Sequence, residues 1–224
     1  MKNNLKYYLL SYFILLIYLF FPLSNRANEK KWSIATNQLH SVSNLKNGDI
    51  IFQISTSGQG KAIQLATKSL YSHCGIIFKE GNEFFVYEAV QPVKKTPLSK
   101  FIAQGDNGHY IIKRLKNSDQ ILTDEVLKKM KAMAVSFLGK NYDLTFEWSD
   151  EKIYCSELVW KVYKHGTGLE VGKLQKLSYY DLSHDIVKKK LEERYGKNIP
   201  YDEMMISPGA IFDSELLVTV MEKK

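Results

Sequence analysis

Cys155 stands in Tyr154-Cys155-Ser156-Glu157-Leu158-Val159-Trp160, where an apolar run begins and a helix is expected to start at the cysteine itself. A helix N-terminus presents unpaired backbone N–H groups and the positive end of the macrodipole, and both favour a thiolate over a thiol. The thiolate is the attacking species in acyl transfer, so Cys155 is the candidate nucleophile. A buried apolar cysteine would sit in similar surroundings, and only a partner separates the two readings. The candidate partner is His73, in Ser72-His73-Cys74-Gly75-Ile76-Ile77-Phe78-Lys79. Imidazole titrates near neutrality and serves as general base or acid.

The elements that must position these groups follow from the same stretches. Ser72 to Lys79 reads as a strand, Glu80-Gly81-Asn82-Glu83 as a tight hairpin connection, and Phe84 to Val90 as the returning strand. With a two-residue loop, His73 faces either Glu88 directly or Val90 with Glu88 diagonally beside it, and in both registers the two share a sheet face. A three-residue loop would separate them. Glu88 is the one acid in an apolar strand and is the candidate orienter that fixes the imidazole and stabilises its charged form. Its alternative is a charge that guards a sheet edge. Cys74 follows His73 on the strand and is expected on the opposite face, so a Cys74–Cys155 disulfide and a Cys155–His73 dyad exclude each other.

Taken together, Gly48-Asp49-Ile50-Ile51-Phe52, Ser72-His73-Cys74-Gly75-Ile76, Tyr87-Glu88-Ala89, Gly139-Lys140-Asn141-Tyr142-Asp143 and Tyr154-Cys155-Ser156-Glu157-Leu158-Val159 resemble the circularly permuted papain-like enzymes, and among them the YiiX/YaeF-like amidases of the NlpC-type superfamily. The resemblance runs from about Leu45 to His165. Histidine before cysteine is the order that permutation implies. Carried over by position, Cys155 matches the family nucleophile, His73 the base, Glu88 the polar orienter and Tyr154 an aromatic that precedes the nucleophile. The resemblance implies an α+β fold in which an antiparallel sheet packs against helices and the nucleophile opens one of them. It also implies a thiol-dependent amidase or peptidase working through a thioester, with the backbone N–H groups at the helix start as oxyanion donors and Tyr154 and Ser156 as supports of substrate or oxyanion. Related permuted folds act on lipids, which keeps a lipid-directed acyltransferase or esterase open. A non-catalytic envelope module that binds peptides or amino acids is the reading from a different class.

The 224 residues are 45% hydrophobic and 12% aromatic, enough for one substantial core. The net charge is +7, but Lys2, Lys6 and Arg26 precede any acid, leaving an excess of four over the remainder. That excess is spread along the chain and no nucleic-acid reading module is visible, so nucleic acid is not an expected partner; attraction to an anionic membrane surface stays open. Lys2 and Lys6 followed by the apolar run Tyr7 to Phe21 match a secretory signal. Fifteen helical residues reach about 22 Å against about 30 Å of hydrocarbon. Residues 1–27 are therefore expected to be a signal peptide, with retention as an anchor the alternative, and 28–224 a single catalytic domain, exported to the periplasm or beyond the cytoplasmic membrane. Two cysteines without Cys-x-x-Cys or His-x-x-His spacing give no expected metal site. Gly58 and Gly60 lack the rest of a phosphate-binding loop, so no cofactor is expected.

Elsewhere, Trp32 to Asn44 reads as a polar segment, Asp49 to Ile54 as a strand, Ser55 to Gly60 as a flexible loop, and Ile63 to Tyr71 as a short helix. Tyr110 to Leu115 reads as a strand. Thr123 caps a helix that runs through Leu138 and is closed by Gly139. Tyr142 to Trp148 is an aromatic, acidic stretch fit for a groove wall or for core packing. Asp185 to Tyr195 reads as a helix and Ser207-Pro208-Gly209 as a loop before the apolar Leu216 to Val220.

Overall fold

A computed structural model describes residues 44–223 of the chain. The expected signal segment lies outside these residues, as does the segment from Trp32 up to residue 43. The elements below all belong to the compact unit Lys46–Lys224.

Six strands form one antiparallel sheet in the order β6-β5-β1-β2-β3-β4: β1 is Ile50–Gln53, β2 His73–Glu80, β3 Glu83–Glu88, β4 Lys94–Pro97, β5 Tyr110–Leu115 and β6 Leu217–Lys223. Period-two alternation puts Ile50, Phe52, Cys74, Ile76, Phe78 and Tyr87 on one face, in a single buried cluster with the apolar side chains of two helices. These are α4, Asp124–Ser136, which contributes Met130 and Ala134, and α5, Cys155–Thr167, which contributes Leu158, Val159 and Val162. The two helices come close because Gly166 has no side chain: a Cβ there would stand 2.2 Å from Met130 Cγ. Four smaller helices complete the fold near the site: α1, Gly58–Thr67; α2, Leu98–Gln104; α6, Asp185–Tyr195; and α7, Pro208–Phe212. A further short helix, α3, is Ser118–Ile121.

Two expectations change. The loop placed at Ser55 to Gly60 is shorter than expected, because Ser57 accepts a hydrogen bond from the Gly60 N–H and starts α1 at Gly58. Ser207-Pro208-Gly209 is a helix start rather than a loop, since Ser207 caps the Ala210 N–H and proline is suited to the first helical position. The α+β class, the large antiparallel sheet and the helices packed on it are as expected.

Candidate active site

β2 and β3 meet through the two-residue loop Gly81-Asn82, with Glu80 opposite Glu83 and Ile76 opposite Tyr87. Extending that register places His73 opposite Val90 and Glu88 on the diagonal. Gly75 makes the approach possible, because a Cβ there would stand 2.4 Å from Val86 Cγ1 and 2.9 Å from the Tyr87 carbonyl oxygen. His73 Nε2 donates to Glu88 Oε2 at 2.6 Å. Glu88 has no solvent exposure, and its other oxygen accepts from the Thr96 hydroxyl on β4. The His73 ring stacks on Phe101 of α2, with centroids 5.5 Å apart and planes at 23°. Both contacts hold the ring in one orientation and leave Nδ1 as the nitrogen free to exchange a proton.

Cys155 is the first residue of α5, following an extended Tyr154. The backbone N–H of Tyr154 reaches the Glu157 carboxylate at 3.4 Å, which ties the helix entry. The N–H groups of the first turn have no intrahelical partners. The Cys155 thiol lies well below its ordinary pKa: a hydrogen bond from the Cys74 thiol is the largest cause, burial opposes it, and the His73 imidazole lowers it further. Burial alone would lower His73, but hydrogen bonding and charge from Cys155 and Glu88 raise it to about 10. Burial would likewise raise Glu88, and its bond to His73 brings it below the usual range. These shifts all favour a thiolate beside an imidazolium, with a carboxylate behind it.

Cys74 departs from expectation. Both cysteines are free and buried, and the Cys74 thiol reaches Cys155 although His73 does so too. Face alternation misleads here because His73 is the first residue of β2, at the end of the strand, while Cys74 belongs to the buried cluster that includes Cys155 and Leu158 of α5.

Tyr154 and Ser156 anchor a neighbouring segment. The Tyr154 hydroxyl accepts from the Ile206 N–H at 3.1 Å and the Ser156 hydroxyl donates to the Ile206 carbonyl at 2.8 Å. Both side chains thereby fix the wall that carries Met205 to Pro208 against the head of α5.

Two cavities flank the pair. One reaches Cys155 and is walled largely by apolar side chains, among them Ala62 and Ile63 of α1, Leu191 of α6, Phe146, Leu177 and Ile206. The other reaches His73 and is lined by Gln53, Ser55, Ser57, Ser72 and Gln91 together with Ala89, Val90 and Leu144. Gln59, Ile63 and Tyr142 belong to both walls. Gln59 donates to the Tyr142 hydroxyl at 2.8 Å, and that phenol is raised well above its ordinary pKa by burial first and then by the negative charge of Cys155.

The family described as "permuted papain-like amidase enzyme, YaeF/YiiX, C92 family" matches residues 44–221. The chain belongs to this family. Within it, the chain is 49% identical over 178 residues to the uncharacterized protein YiiX of Escherichia coli K12, covering 80% of this chain and 87% of that one. A crystal structure of YiiX from Escherichia coli O157:H7, described as a metalloprotein, aligns with a TM-score of 0.76 at 50% identity, over 80% of this chain and 97% of the other. The chain is thus a cysteine hydrolase of the permuted papain-like amidase family, as the resemblance implied. In this family member no group of three or more His, Cys, Asp or Glu side chains among the described residues is placed to hold a metal ion, and His73 Nε2 is committed to Glu88.

Reading the sequence passed over Thr96, Phe101 and Gln59 and left Tyr142 between groove and core. Thr96 and Phe101 become visible only once β4 and α2 are placed beside β3. Tyr142 carried a signal, its place in the aromatic stretch shortly before Cys155.

Proposed function

We propose that the protein is a thiol-dependent amidase of the cell envelope, with Cys155 as nucleophile, His73 as acid and base, and Glu88 as orienter. The observation that carries this reading is the Glu88–His73–Cys155 line set between two cavities. The Cys155 thiolate attacks the carbonyl carbon, and the oxyanion is met by the backbone N–H groups that open α5 and by the Tyr142 hydroxyl. The His73 imidazolium gives its proton to the leaving amine as the C–N bond breaks, leaving a thioester on Cys155. Water then gives a proton to His73 and attacks the thioester, releasing the acid and restoring the thiolate. An alcohol or amine in place of water gives acyl transfer.

Because His73 protonates the leaving group, the leaving group belongs in the polar cleft beside His73 and the acyl part in the apolar cavity beside Cys155. That apolar wall favours a second reading, a lipid-like acyl donor, amide or ester. Residues 1–27 direct export, and 28–224 form the working domain. The test is incubation with a set of amides and esters of graded acyl length, followed by intact-protein and peptide mass spectrometry. An acyl adduct on Cys155, absent in Cys155→Ala, is expected together with release of amine or alcohol. Unlabelled protein that binds the same compounds without turnover would favour the binding module.

A further inference from the structure

Arg194, on the last turn of α6, lines the apolar cavity that reaches Cys155. It is half-buried, and its guanidinium lies over the Phe146 ring at 4.7 Å. Among the described residues it has no carboxylate within ion-pair distance and makes no hydrogen bond. The other cation on that wall, Lys190, is already matched by Glu193 at 2.5 Å. Asp143, buried beside Tyr142, accepts from both the N–H and the hydroxyl of Thr145 at 2.8 Å and stays outside ion-pair range of Arg194. Burial pushes the Arg194 pKa down, and the negative potential of Tyr142, Tyr195, Glu193 and Asp143 opposes that.

A guanidinium half-withdrawn from water and unmatched by an acid keeps part of its hydration and gives up the rest. The Phe146 ring and the C-terminal end of α6 both favour the charge, but neither offers an acceptor. The planar fork of Arg194 thus faces a largely apolar cavity with donors that no oxygen of the described residues takes. That fork matches the paired oxygens of a carboxylate or phosphate.

We infer that Arg194 binds an anionic oxygen group, carboxylate or phosphate, on the acyl part of the substrate, so that the enzyme selects acyl donors joining an apolar portion to a negative charge. This rests on the reading of the Cys155 cavity as the acyl site. Arg194 is then a specificity residue for the cavity, and neutral acyl donors of the same length are the discriminated class.

The test uses alkylation of Cys155 and needs no turnover. N-alkyl bromoacetamides of graded chain length, ending in carboxylate, phosphate or neutral carboxamide, are reacted with the full chain, and second-order rates at Cys155 are read by peptide mass spectrometry. The anion-to-carboxamide rate ratio at the best length, relative to the same ratio for a free small-molecule thiol, is expected to be about fivefold or more in the wild type. It is expected to collapse to the small-molecule value in Arg194→Met and in Arg194→Gln. Taking a ratio removes any change in Cys155 reactivity itself. A preference confined to the carboxylate or to the phosphate series identifies the anion. Equal ratios in wild type and both variants, or no anionic preference in either series, overturn the inference. Absence of amide turnover alongside an Arg194-dependent ratio would instead count against hydrolysis and leave anion recognition standing.

Discussion

Glu88 holds a carboxylate with no solvent exposure, and its oxygens are divided between His73 and Thr96. An acid so placed is stable as an anion only because each oxygen has a donor. In the proposed mechanism the rate needs Cys155 ionised and His73 protonated. The acid limb of kcat/KM is therefore expected below the range of an ordinary thiol, and the alkaline limb near pH 10, where His73 loses its proton. These are apparent values of the pair, since each group sets the other. Glu88→Gln removes a charge that raises His73, so the alkaline limb should move to lower pH and kcat should fall, with the melting temperature little changed. A pH–rate profile with the alkaline limb left in place would refute the orienting role. Thr96→Val keeps the shape of the side chain and removes one donor to a buried charge, for which about 1.5–3 kcal/mol is typical. Its expected signature is a loss of about tenfold in kcat at constant KM, read by steady-state kinetics on whichever acyl donor labels Cys155.

At the scale of elements, the hairpin around Gly81-Asn82 is what joins base to orienter; loop length fixes which residues share a face, the sequence left that length open between two and three residues, and the structure shows two. The start of α5 at Cys155 and the span of α6 were legible from a strong change in apolar patterning. What escaped reading was contact between distant elements: Thr96 against Glu88, Phe101 against His73, and Cys74 against Cys155. Nothing in the intervening chain encodes such proximity locally. Gly75→Ala tests the hairpin directly, because its methyl would press on Val86 and the Tyr87 carbonyl. Overpacking of this kind costs about 1–3 kcal/mol, and the loss of activity at a permissive temperature should exceed what the unfolded fraction explains, since β3 carries Glu88. Thermal melts paired with Cys155 labelling rates decide this. Glu157, two residues into the same helix as Cys155, is raised from 4.5 to about 7, by burial first, although Lys161 Nζ lies 2.9 Å away. Between those two values the folded state binds a proton that the unfolded state has lost, so this group's contribution declines as pH rises from about 4.5 to 7. Glu157→Gln, which keeps an acceptor for the Tyr154 N–H, should raise the melting temperature at pH 8 relative to the wild type and not at pH 4. Parallel melting curves at both pH values would show that Glu157 is not the cause.

For the molecule as a whole, the proposed export predicts a mature chain beginning near Asn28 outside the cytoplasm, checked by N-terminal sequencing of the fractionated protein. A chain still beginning at Met1 in the membrane fraction would assign residues 1–27 to anchoring. The order of parts along the chain has a further consequence for how the enzyme is made. Strands β1 to β5 and all of α5 leave the ribosome before the wall formed by Leu177, Leu191, Arg194 and Ile206. Synthesis runs at about 5–20 residues per second, and folding generally follows the emerging N-terminal part first. The nascent chain thus contains its sulfur, imidazole and carboxylate for several seconds before it contains the residues that wall the cavity beside Cys155.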